Sequence, residues 1–346
     1  MLQNRLHYLD SLRGIAALMV ATSHFVERTP LHLIGFWRYL NLGQVGVVAF
    51  FVLSGMVIPF SLKSGERPVL NFWISRFFRL YPAYWFSIAL AIITTTMIYG
   101  FQVDFGIIIS NMTMFQSLFK VPDLFGVYWT LIIEMFFYLA CTGLFVFKLL
   151  EHKKIRFFIS IVMLWVAVLF AIVRFYFNMK VPVAIPLCMS LMFFGSLWRD
   201  ISLSIADIEI KKFSFIWILM FFICLIPICF LAYNKNFGHN ENALSYIASY
   251  TVGIIFCLLM TTKFKLKAKL FVYFGMISYS VYLIHPFFLE IISSRINMAD
   301  KFNVSSFMIY ISCVIGSSSC CYFMLEKPAI DFGRKMKSRF IPCPYT

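Results

Sequence analysis

The chain has 346 residues, of which 61% are hydrophobic and only 13% charged, and Phe alone supplies 42. A soluble domain of this size cannot hide so much apolar surface, so composition excludes a water-soluble globular fold and points to an all-α polytopic membrane protein. The net charge of +15 does not indicate nucleic acid: the basic residues sit in short runs between apolar stretches, where they set topology and meet anionic headgroups or phosphates of membrane lipids.

Ten stretches are long enough to cross a bilayer, with approximate limits 11–29, 41–62, 77–98, 129–150, 156–177, 182–199, 213–233, 243–262, 269–293 and 304–326. Segment 106–119 is short and carries Asn111, Thr113 and Gln116, which suits an interfacial or re-entrant piece better than a span. With ten spans, the connections 1–13, 62–79, 148–156, 199–212, 263–269 and 327–346 hold most of the basic residues. Only Arg28, Arg38, Lys120, Arg174, Lys180, Lys235, Arg295 and Lys301 lie on the other side. The excess marks the first side, and both termini, as cytoplasmic. No linker or low-complexity tract divides the chain, so residues 1–346 are expected to form a single integral membrane domain, about ten helices in one bundle with no fused soluble domain.

The first span holds the most informative pair. Arg13 and His24 are eleven residues apart, which is roughly 16 Å along a helix and close to three full turns, so both point to nearly the same side. A charged or ionisable residue inside a span is costly and belongs against a protein interior or watery cavity, where it has work to do. Arg13 starts span one beside Asp10, and Arg76 and Arg79 start span three, all at the inner face. Three guanidiniums at that level suit a polyphosphate, held by charge-assisted and often bidentate hydrogen bonds. Taken singly, each also reads as an ordinary positive-inside anchor.

Deeper polar groups gather in the outer half. His24 is one. Thr130, Glu134 and Tyr138 recur at four-residue spacing as a polar stripe on span four, and Ser278, Tyr282 and His285 share a face of span nine. Imidazole beside carboxylate suits proton abstraction from a sugar hydroxyl, with Glu134 orienting the ring while His24 takes the proton. The bland reading is a structural hydrogen bond between two helices. Ser54-Gly55 reads as a small-residue helix contact rather than a nucleophile. The nine cysteines (Cys141, Cys188, Cys224, Cys229, Cys257, Cys313, Cys320, Cys321 and Cys343) are scattered, without a CxxC pair, and read as small buried hydrophobes. No metal cluster with recognised ligand spacing is evident, and none is expected.

Several motifs carry a resemblance. They are Tyr8-Leu9-Asp10-Ser11-Leu12-Arg13-Gly14 with His24 following, Phe50-Phe51-Val52-Leu53-Ser54-Gly55, and Arg76-Phe77-Phe78-Arg79-Leu80-Tyr81-Pro82. Further on come Trp129-Thr130-Leu131-Ile132-Ile133-Glu134, Ser278-Tyr279-Ser280-Val281-Tyr282-Leu283-Ile284-His285-Pro286 and Glu326-Lys327-Pro328. Together, and in this order, the chain resembles the acyltransferase 3 family, the membrane O-acyltransferases of bacterial surface polysaccharides and related glycans. The resemblance implies an acyl-CoA donor on the cytoplasmic side, most often acetyl-CoA, a glycan hydroxyl acceptor, no permanently bound cofactor, and residence in the bacterial inner membrane. It assigns Arg13 to donor handling and His24 to catalysis. Thr130 stands where a serine is usual. Asp10, Tyr138, Tyr282 and His285 are expected to line the pocket. Direct transfer and an acyl-enzyme route both remain open, as does a rival class, a transporter or flippase whose ionisable residues line a pathway without making a bond.

Overall fold

A computed structural model describes residues 6–63, 65–234, 242–298 and 301–339. Cys343 and the ends of both termini lie outside the described residues, as does Lys235. The described chain is helical throughout, without a strand: α1 His7–Glu27, α2 Gly35–Tyr39, α3 Leu42–Val57, α4 Pro68–Tyr99, α5 Phe105–Met112, α6 Trp129–Val146, α7 Lys153–Phe177, α8 Ala184–Ser202, α9 Ile208–Ala232, α10 Ala243–Thr262, α11 Lys269–Arg295, α12 Val304–Cys321 and α13 Lys327–Arg339.

Nine of these helical stretches are long and apolar enough to cross a membrane by length and composition, against the ten expected. The one that falls short is α1. Its 21 residues reach ~31 Å, but Asp10, Arg13, His24 and Glu27 dilute its apolar character. Two boundaries also differ from expectation. Helix α4 begins at Pro68, so Arg76 and Arg79 lie more than two turns inside it rather than at its start; hydropathy saw only the apolar part of a 32-residue helix. Residues 327–339 are not a loop but α13, joined to α12 by one π-helical turn, Tyr322–Glu326.

The chain divides into two compact units. The first comprises Met1–Ser23, Leu31–Phe60 and Phe136–Gly275. Its densest packing is at glycines. A Cβ placed on Gly55 would lie 1.8 Å from the Met192 carbonyl oxygen, and one on Gly195 2.1 Å from that of Val52, so α3 and α8 cross with their backbones in contact. The same holds for Gly275, whose Cβ would fall 2.0 Å from the Asp10 carbonyl oxygen. Ser54-Gly55 is therefore a helix contact, as its sequence indicates. Trp217 stacks on Phe194 at 3.9 Å and on Phe221 at 4.9 Å, and its indole N–H donates to Ser190 Oγ at 3.0 Å. Arg156 and Arg199 donate to the carbonyls of Ser196 and Met56, and both guanidiniums lie over the Phe60 ring.

The second unit comprises His24–Pro30, Ser61–Met135 and Met276–Thr346. Within it, α5 is only eight residues, ~12 Å, too short to cross a bilayer. It docks on α4 through three aromatic donors: Tyr84 OH to the Asn111 carbonyl (2.8 Å), Trp85 Nε1 to that of Met112 (3.1 Å) and Tyr81 OH to that of Thr113 (3.1 Å). These carbonyls belong to the orphan set that any helix C-terminus leaves. The Asn111 amide closes the loop behind, donating to Ile107 and Pro122 and accepting from the Leu124 N–H. Gln116 donates to Asp123 at 2.5 Å, yet burial still holds the Asp123 carboxyl above the usual carboxylate range.

Two outcomes follow. Gly55→Ala and Gly195→Ala each insert a methyl where backbone already sits and should cost about 1–3 kcal/mol. Gly143→Ala, which meets nothing within 4 Å, should not destabilise; melting of the purified protein checks the contrast. Because the folded state raises the Asp123 pKa, the contribution of that group is present below its unfolded pKa and is lost as pH rises through the folded value. Asp123→Asn, which keeps an acceptor for Gln116, should raise the melting temperature near pH 8 and leave it unchanged near pH 4.

Candidate active site

Within the second unit, the last turn of α1 brings His24 against His285 of α11. Their rings are 5.1 Å apart between centroids, and His24 Nδ1 lies 2.9 Å from His285 Nε2. His285 is fully buried, whereas His24 is half-buried. The other nitrogen of His285, Nδ1, is 3.1 Å from the Val281 carbonyl oxygen and also close to the Tyr282 carbonyl, which Pro286 leaves without a helical N–H donor.

These contacts settle the tautomers of the neutral pair. A carbonyl can only accept, so His285 Nδ1 carries the proton, and its Nε2 must then be a lone pair. His24 Nδ1 therefore donates to it. The remaining nitrogen, His24 Nε2, is left as a lone pair. A half-buried imidazole held by one nitrogen, with the lone pair of the other unspent, is what a general base requires.

One turn below, Tyr282 OH contacts Thr130 Oγ1 at 2.7 Å and donates to the Val127 carbonyl at 3.0 Å, joining α11 to the start of α6. Glu134, one turn along from Thr130, is half-buried and within electrostatic reach of the Tyr282 hydroxyl. The hydrogen bond to His24 that the sequence reading gives to Glu134 is made by His285 instead. Among the other expected residues, Arg76 is half-buried with its guanidinium 5.3 Å from the Phe72 ring, and Arg79 is exposed but within reach of the Glu326 carboxylate. Arg13 and Asp10, both half-buried, and the buried Tyr138 belong to the first unit. Arg13 nevertheless lies on the same unbroken helix as His24, which keeps their separation at roughly 16 Å.

Two groups escaped the sequence reading. Arg28, one turn past His24, pairs with Glu290 of α11 at 2.5 Å, and the other carboxylate oxygen accepts from Tyr99 OH at 2.5 Å. The four-residue spacing from His24 and the five-residue spacing from His285 could have flagged that clasp. Glu326 is buried in the π-helical turn, where it accepts from the Ser280 hydroxyl. A carboxylate closing an apolar span was its visible signal. Among the described residues, no group of three or more His, Cys, Asp or Glu side chains gathers as a metal site would. The cysteines there are free thiols, six of them buried.

Neither a curated protein nor a solved structure matches the chain. The acyltransferase 3 family, described as an acyltransferase domain, matches residues 6–326. That span includes Arg13, His24, the α4 arginines, Glu134, His285 and Glu326, and it is nearly the entire chain; the protein belongs to this family of membrane acyltransferases.

Proposed function

We propose that this protein transfers an acetyl group from acetyl-CoA to a sugar hydroxyl of a cell-surface polysaccharide or its lipid-linked precursor. Its place would be the bacterial inner membrane, with both termini cytoplasmic and the chain acting as a single membrane domain. The observation that carries this reading is the His24–His285 contact, which leaves His24 Nε2 free to take a proton.

In the proposed step, the sugar hydroxyl gives its proton to His24 Nε2 as its oxygen attacks the thioester carbonyl. The tetrahedral intermediate collapses with loss of the C–S bond, and the imidazolium returns the proton to the departing thiolate. The products are the sugar ester and free CoA. Direct transfer uses His24 as a base alone, whereas an acyl-enzyme route would need a covalent carrier in addition. Arg76 and Arg79 of α4 would hold the donor phosphates, and Arg13 keeps the donor-handling role that the family resemblance gives it. In this reading Glu134 would favour the transient imidazolium, supported by its electrostatic reach to the Tyr282 hydroxyl one turn from His285.

Label transfer from acetyl-CoA to isolated glycan tests the proposal. His24→Ala should lose about 10²–10⁴ of kcat at unchanged membrane abundance. Vectorial glycan movement in vesicles without acyl-CoA would instead establish a transporter. His285→Ala should lower kcat while leaving KM for the donor in place, and His285→Gln, whose amide oxygen can still accept from His24 Nδ1, should recover part of it. Arg13→Ala should act the other way, raising KM for acetyl-CoA more than it lowers kcat.

A further inference from the structure

Within the second unit, the N-terminal part of α4 and helix α13 enclose a cleft of about 440 Å³, in the size range of small-molecule sites. Its walls include Leu70, Trp73, Phe77, Tyr81 and Met336, and its one charged lining residue is Arg76. Leu70 and Phe77 are about two-fifths exposed on a helix apolar enough to cross a membrane, so the walls of the cleft present apolar surface at its mouth.

The charge beside it is mainly positive. Lys337, adjoining Met336, donates to the Ser75 hydroxyl at 2.7 Å and lies within electrostatic reach of Arg76 and Arg334. Arg334 is paired with Asp331 at 3.1 Å. Among the described residues, Lys337 has no carboxylate partner. A hydroxyl satisfies one of its three N–H donors but none of its charge. A cation gathered with two others at the end of an apolar trough is complementary to an amphiphile with one anionic head.

We propose that this groove binds an anionic phospholipid, its acyl chain lying against Trp73 and Phe77 and its phosphate held by Lys337 with Arg76. A soluble nucleotide fits less well, because its base and ribose would need polar partners that these walls lack. Arg76 is shared with the donor cradle proposed above, but Lys337 is not, so the two readings can fail separately.

Trp73 supplies a built-in reporter. In detergent-solubilised full-length protein, lipids brominated on the acyl chain quench tryptophans they touch, and subtraction of a Trp73→Phe sample isolates the Trp73 signal. Brominated phosphatidylglycerol should quench it at about fivefold lower mole fraction than brominated phosphatidylcholine. Lys337→Met should bring the two lipids to near parity, and Lys337→Arg should preserve the preference. Equal quenching by both lipids in the unmutated protein would overturn the proposal without reference to any variant. So would a preference that survives Lys337→Met, or displacement by acetyl-CoA but not by unbrominated phosphatidylglycerol, which would make the groove a nucleotide site. Acyl transfer is not measured, so the outcome leaves the acyltransferase reading untouched.

Discussion

The proposed chemistry rests on a carbonyl that can only accept. Val281 takes the Nδ1 proton of His285, and that single commitment propagates: His285 Nε2 becomes an acceptor, His24 Nδ1 a donor, and His24 Nε2 a free base. No side chain outside the pair is needed to set the tautomer. Helix α11 itself does so, and Pro286 assists by leaving the Tyr282 carbonyl without a helical donor next to the same ring. The Arg28–Glu290–Tyr99 clasp one turn further out ties the ends of α1 and α4 to α11, holding the two rings in register where α1 ends.

The tying of polar groups to backbone recurs where the chain departs from regular spans. Helix α5 has no length to cross a membrane, and its terminal carbonyls would be costly to leave bare in an apolar setting. Tyr81, Tyr84 and Trp85 answer three of them from consecutive turns of α4. In the first unit, Arg156 and Arg199 likewise end on main-chain carbonyls and on the face of Phe60. Basic residues that read in sequence as simple topology signals are here also structural pins, which is compatible with a net positive bias but not derivable from it.

Much of this was legible beforehand. Hydropathy read ten spans, nine of which the structure has as long apolar helices, and the face shared by Ser278, Tyr282 and His285 is one along which α11 meets His24 and Thr130. Family membership was carried by motifs spread from Tyr8 to Glu326. What escaped has physical reasons. A hydropathy window places the start of α4 late, because Pro68, Asn71, Ser75 and Arg76 dilute the apolar residues of its first turns. The span expected at 11–29 is α1, which falls short of the other nine because Asp10, Arg13, His24 and Glu27 lower its apolar character. Residue type alone also could not choose between Glu134 and His285 as the partner of His24. Both lay at a suitable depth, and the choice is made by which ring nitrogen faces which acceptor.

That choice has an energetic logic suited to a membrane interior. An imidazole–carboxylate pair carries charge in its resting state and must be desolvated as an ion, at a penalty that attraction only partly offsets. Two neutral imidazoles linked by one hydrogen bond carry none, so burying His285 completely costs little beyond satisfying its two nitrogens, and both are satisfied. Charge then arises only when His24 accepts a proton, and it disappears when the proton is passed on. The His24–His285 linkage needs no standing ion pair, so the fold has to accommodate only the charge that the proposed transfer itself creates.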